Sequence, residues 1–264
     1  MSANALVQAT RTELARAARH ALAGWWGIVR LAAQLLEMAL SRATCSGESW
    51  RLLAQHIVQD TSPMLGGFTV LTTLISLVVI RIVLVTALSY GLTQYALEMV
   101  VRVLVLELIP LAAALFAALR CTVPNAAEIA ALRTQAAWDA AGTEAMRREV
   151  LPRVASGVFS ALLLAAVSCA VTLVVAYLSV YGPVSTGLAA YTRTVGHVFN
   201  PAVSLILGLK ILFLAVAVAL VPVAAVLDAA PARRRAASPE LQGLVRMFMV
   251  ILLIEAASLV GNYY

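Results

Sequence analysis

Any chemistry in this chain rests on a few charges set where charge is costly. Arg81, Glu98, Arg102, Glu107, Lys210 and Glu255 fall within or at the ends of long apolar runs. A charge at the centre of a bilayer costs at least ~2.5–3.5 kcal/mol on insertion scales, so each should face protein or a wet cavity. Glu98 and Arg102 stand at i,i+4 spacing on one helix, which suits an ion pair. Arg81, Arg102 and Lys210 project to one half of the membrane, beside Glu98 and Glu107. Such a group could line a cavity for an anionic headgroup. The alternative is that these charges pair with one another and lock the helices. Glu255 sits mid-run with no obvious partner, so a packing contact is its default role.

Other chemistries find no support. There is no phosphate-binding G-x-x-x-x-G-K-[ST] loop, no H-E-x-x-H and no G-x-S-x-G. His20, His56 and His197 are far apart, and Cys45, Cys121 and Cys169 are too scattered for a disulfide framework or a metal site. The reading is therefore a chain with no catalytic residue, no metal and no cofactor, which would draw energy for any pumping from a partner.

The elements that must position these charges follow from composition. Hydrophobic residues make up 62% of the chain and charged residues 12%, with mean hydropathy +0.93. Soluble domains carry about twice that share of charge, so the fold class is an all-α integral membrane protein. Five apolar runs are long enough to span, at about 63–90, 98–119, 154–178, 203–227 and 244–262. Residues 1–62 read as an N-terminal interfacial region and 63–264 as the five-span domain. Within the former, 5–23 patterns as an amphipathic helix, and the following run with Trp25-Trp26 suits the headgroup layer. Residues 179–202 read as a loop with turn residues and three aromatics. No secretory signal opens the chain.

All but one of the 19 cations are arginine, and they gather in the short segments between apolar runs. Fifteen fall on one side, only Arg193 on the other, and three lie inside the runs. By the positive-inside rule this puts the N-terminus in the cytoplasm and the C-terminus outside, and it argues against a nucleic-acid stripe.

The longest polar interruption, 120–153, is where a cytoplasmic machine would dock. Here the sequence resembles the MlaE/YrbE permease family, the membrane subunits of ABC-type lipid transporters that work with Mce-domain proteins. The family's R-E-L-G-P element resembles Leu106-Glu107-Leu108-Ile109-Pro110, which keeps the glutamate and proline but not the arginine, and its A-G-R arginine is matched by Arg120. Ala126-Ala127-Glu128-Ile129-Ala130-Ala131-Leu132-Arg133 follows the A-A-E-[LI]-G-T-M-[RK] element at the family's spacing. Ala141-Gly142, Arg147 and Pro152-Arg153 resemble the elements that close the segment, while Lys210 and Glu255 stand where the family carries a lysine and an acidic residue.

The resemblance covers roughly 50–264 and implies an ABC ATPase subunit, an Mce-domain protein and a second permease subunit as partners. It also implies a multi-pass place in the bacterial inner membrane and movement of phospholipid or another lipid between that membrane and the cell envelope. Glu128, Arg133, Asp139, Glu144, Arg147 and Arg153 would then form the ATPase-coupling segment. Arg81, Glu98, Arg102, Glu107 and Lys210 would line the lipid cavity. The family's glycines are replaced here by Ile109, Leu119, Thr122 and Ala130, positions where close backbone approach would be lost, and the coupling segment is about a turn shorter. These departures imply a divergent member, such as one half of a heterodimer, with a homodimer as the other arrangement. They also keep open a non-transporting scaffold that anchors an Mce protein or regulates a true permease.

Overall fold

A computed structural model describes residues 25–40, 47–133, 142–228 and 239–263. The amphipathic helix expected over 5–23 lies outside the described residues. All regular structure in the described residues is helical. Helix α1 covers 25–40 and α2 covers Gly47–Ser89. Helix α3 is one continuous rod over 93–132, and α4 runs over Gly142–Tyr181. A short α5, Leu188–Val198, precedes α6, Pro201–Asp228, and α7, Pro239–Tyr263.

Five of these helices are long and apolar enough to cross a membrane: α2, α3, α4, α6 and α7. Three of them outrun their expected bounds. The span in α2 begins at Ala54, α3 continues to Leu132, and the span in α4 begins at Gly142. The polar residues there do not break the helices, because Ala126, Ile129, Val150 and Val154 bury a continuous stripe. A second correction concerns 179–202, expected as a loop. Gly182, at φ +71, ends α4, and Asn200 caps α6 by accepting the Val203 amide at 2.8 Å, but α5 lies between them. Its Tyr191 and Val198 are buried against α3 and α4.

Helix α4 packs against α2, α3 and α6, and α6 packs against α3, α4 and α7. Exposed Val70, Leu74, Leu77, Val78, Leu252 and Leu253 leave the outer faces of α2 and α7 apolar, as contact with lipid requires. Helices α2 and α4 are joined by side-chain oxygens. Thr61 bonds Ser160 at 2.6 Å, Thr72 donates to Ser168 at 3.4 Å, and Ser76 bonds Thr172 at 3.0 Å. Both partners advance together along the chain, so the two helices run parallel, as first and third crossings must. Small polar residues allow close approach and supply hydrogen bonds where burial of apolar area drives nothing. Asp60 sits at one end of this ladder, its Oδ2 accepting from Ser156 Oγ at 2.5 Å, Asn125 Nδ2 at 3.3 Å and Cys121 Sγ at 3.5 Å.

Among the described residues, three stretches are widened to i→i+5 hydrogen bonding, Val101–Leu108, Ala118–Thr122 and Met146–Val150. Each closes on the residue before a proline: the amides of Ile109, Val123 and Leu151 bond the carbonyls of Leu104, Ala118 and Met146. A proline ring clashes with the carbonyl four residues back, and an extra residue in the turn relieves that clash without ending the helix.

The glycine missing at Thr122 is answered from the opposite helix. Gly157 of α4 faces it, and a Cβ there would lie 2.8 Å from Thr122 Cγ2 and 3.4 Å from Ala219 Cβ. Close packing of α3, α4 and α6 is therefore kept at this level.

Candidate functional site

The site grows from a defect in α3. Pro110 has no N–H, so the carbonyl of Leu106 lacks its usual α-helical donor one turn on. Lys210, carried by α6, donates to that carbonyl at 3.1 Å. The same ammonium bonds Glu107 Oε2 of α3 and meets Glu255 Oε2 of α7 at 2.6 Å. A lysine ammonium has three donors, and here each has an acceptor. The side chain is 1% exposed. One cation thus ties three spanning helices together and satisfies a carbonyl that the proline left open.

Two carboxyl groups thus share one ammonium. Asn262 Nδ2 donates to Glu107 Oε1 at 3.2 Å. Glu255 Oε1, Ser258 Oγ and Asn262 Oδ1 are buried without a hydrogen-bond partner among the described residues. These three residues stand at i, i+3 and i+7 on α7, so they share one helical face. The unused capacity at this site is therefore mostly acceptor oxygen.

The other charges of the apolar runs are placed separately. Arg102 and Glu98 form the expected i,i+4 pair, Nε to Oε1 at 3.1 Å, on a half-exposed face of α3. Arg81 is exposed on α2 and makes no hydrogen bond or ion pair among the described residues. It lies eight residues before the helix end, so its long side chain can reach the headgroup layer. The expected grouping divides: Glu107 and Lys210 come together, Glu98 and Arg102 pair apart from them, and Arg81 stands alone. Glu255, expected to lack a partner, is a member of the Lys210 cluster. Its partner lies 45 positions away on a neighbouring helix, which no local spacing reveals.

The residues of the polar segment form a second group. Arg153, 13% exposed, bonds Glu149 Oε2 at 2.5 Å and Glu128 Oε2 at 3.4 Å, so it links α4 to the end of α3. Glu144 pairs with Arg148 at 2.7 Å on an exposed face. Arg133 donates from Nη1 to the Val226 carbonyl at 2.6 Å, near the C-terminal end of α6. Arg147 is half-buried in the widened turn that opens α4. Asp139 lies outside the described residues. Two groups were missed altogether, Asp60 with its donors and the hydroxyl ladder. The sequence does carry their signal, in Thr61, Thr72 and Ser76 on one helical face and Ser160, Ser168 and Thr172 on another.

Five apolar helices and a charged cluster sealed among three of them define a multi-pass membrane protein with a polar centre inside its bundle. A family model described as Permease MlaE matches residues 53–260, which takes in nearly all of the five spans. The chain belongs to the MlaE permease family. No curated protein matches it.

Proposed function

We propose that this chain is the membrane-spanning permease subunit of an ABC-type lipid transporter, working with a separate ATPase subunit and an Mce-domain protein. Its N-terminus lies in the cytoplasm of a bacterial inner membrane and its C-terminus faces the cell envelope, following the distribution of arginine. The membership of the family supports the transporter role.

One observation of the structure carries the reading furthest. The Glu107–Lys210–Glu255 cluster holds α3, α6 and α7 together, yet leaves buried oxygens on Glu255, Ser258 and Asn262 without a partner among the described residues. A cluster built only to lock helices would satisfy its own polar groups, since each orphan costs about 1–3 kcal/mol. A lipid headgroup carrying ammonium or hydroxyl donors would satisfy them. In this reading Glu107, Lys210 and Glu255 form the polar floor of the lipid path. Arg102 with Glu98, and Arg81 at the headgroup level, guide the lipid's charged end toward it. The segment carrying Glu128, Arg133, Asp139, Glu144, Arg147 and Arg153 docks on the ATPase. The Arg153 links to Glu128 and Glu149 transmit movement from that segment to α3 and α4.

The scaffold reading has its own support, because Lys210 has no free donor and Arg81 has no partner among the described residues. Reconstitution separates the two. ATP-driven transfer of a fluorescent phospholipid should fall at least tenfold when Glu255→Gln or Arg81→Gln is introduced into the complex. Unchanged flux in both variants would leave the chain as a scaffold. Glu144→Arg should weaken co-purification of the ATPase; unaffected binding would move the docking site elsewhere.

A further inference from the structure

At the other end of α6 from Lys210 there is a cavity of about 450 Å³. Lys210 and Asp228 are 18 residues apart on one helix, or about 27 Å along its axis, so the cavity lies at one end of the bundle, well away from the buried Lys210 cluster. The cavity is lined by Trp26, Arg30 and Gln34 of α1, Arg133 just past the end of α3, and Leu227 and Asp228 of α6. Its apolar wall includes Leu31, which belongs to the core cluster anchoring α1 on α3, α4 and α6.

The electrostatics favour an anion. Two guanidinium groups, Arg30 and Arg133, line the cavity beside the single carboxylate of Asp228, and Arg246 also acts on that carboxylate. The carboxylate is tucked against α1 at Gly27, where a Cβ would lie 2.0 Å from its Oδ2. Arg133 is held in place by the Val226 carbonyl. Arginine presents a planar fork of N–H groups that matches phosphate oxygens, and Gln34 adds an amide. The surroundings favour an amphiphile over a free ion. Helix α1 leaves Trp26, Val29, Leu36 and Leu40 exposed beside the cavity, a pattern suited to the boundary between headgroups and acyl chains.

We propose that the cavity between α1, Arg133 and Asp228 binds the phosphate headgroup of an anionic phospholipid, at a site separate from the Lys210 cluster. The bound lipid fastens α1 to the ends of α3 and α6. The inference does not depend on the chain transporting lipid, and its test does not measure transport.

The test uses tryptophan quenching in the full chain, with Trp50→Phe and Trp138→Phe in the background so that only Trp25 and Trp26 report. Nanodiscs of phosphatidylcholine are doped with either brominated phosphatidylglycerol or brominated phosphatidylcholine. Half-quenching should need about tenfold less of the anionic lipid, as one charge-assisted hydrogen bond can provide. Arg30→Gln should bring the two lipids close to parity, and Arg30→Lys should keep most of the preference. Asp228→Asn removes the cavity's negative charge and should strengthen the preference severalfold, a gain that a misfolded chain would not show. Equal quenching by the two lipids in the parent chain, or no change in Asp228→Asn, would overturn the proposal. Reversal of quenching by millimolar inorganic phosphate would make a free phosphate group the ligand and overturn the lipid assignment.

Discussion

Replacing Lys210 by methionine removes the ammonium while keeping much of the side chain's length and apolar volume. Three hydrogen bonds are lost together, to Leu106 O, Glu107 and Glu255. Two carboxylates then face one another with no cation between them. Removing one partner of a buried ion pair costs about 3–5 kcal/mol, mostly for the charge left behind. Glu107 and Glu255 keep 17% and 13% side-chain exposure, which admits some screening, so the lower end, about 3 kcal/mol, is expected. Lys210→Met combined with Glu107→Gln and Glu255→Gln leaves no buried charge, and the Gln at 107 retains an oxygen for Asn262. That triple variant should recover most of the loss, because replacing a whole buried ionic group is often close to neutral. The assay is unfolding by SDS in mixed micelles, followed by helical circular dichroism. A single variant within about 1 kcal/mol of the parent, or a triple variant as unstable as the single, would refute this account of the cluster.

Gly157→Ala should destabilise by about 1–3 kcal/mol, because its methyl would meet Thr122 Cγ2 at 2.8 Å; adding Thr122→Ser should restore stability in the same unfolding assay. A double-mutant cycle on Ser76→Ala and Thr172→Ala should give a coupling of about 0.6 kcal/mol, the size usual for hydrogen bonds between spanning helices, and zero coupling would remove the ladder from the energetics. Burial, and then neighbouring Tyr181, push the Tyr191 phenol up from 10.0 to about 12. Because the folded value is the higher one, its stabilising contribution is whole below pH 10 and is lost as pH rises toward 12. An ultraviolet titration should therefore show one tyrosine ionising late in the parent chain and not in Tyr191→Phe. Arg153→Gln breaks the links to Glu149 and Glu128, and it should reduce ATPase stimulation in the reconstituted complex more than it reduces ATPase binding.

The spans were legible because burying twenty or so apolar residues leaves few alternatives, and the Glu98–Arg102 pair because helix geometry alone decides i,i+4 contact. The Lys210–Glu255 contact was not, since it depends on how two helices pack rather than on either helix alone. Proline misled in one direction. The apolar run after Pro152 was expected to begin at about 154, but a widened turn absorbs that proline and α4 starts earlier, as similar turns absorb Pro110 and Pro124 within α3. Glycine and proline misled in the other direction at 182–201. They bracket α5, whose Tyr191, Val195 and Val198 already repeat at helical spacing. The resemblance, with glycines replaced at Ile109, Leu119, Thr122 and Ala130, pointed to looser packing, yet at Thr122 close approach is kept by Gly157 on the facing helix.

The most direct test of the permease assignment is lipid transfer in proteoliposomes that hold this chain with the proposed partners, an ABC ATPase and an Mce-domain protein. A fluorescent phospholipid placed in the proteoliposome membrane should move to the Mce partner, or back from it, only when ATP is supplied and this chain is present. Glu255→Gln should reduce the ATP-dependent part at least tenfold while the complex still assembles. Transfer at the same rate without this chain, or without ATP, would contradict the account.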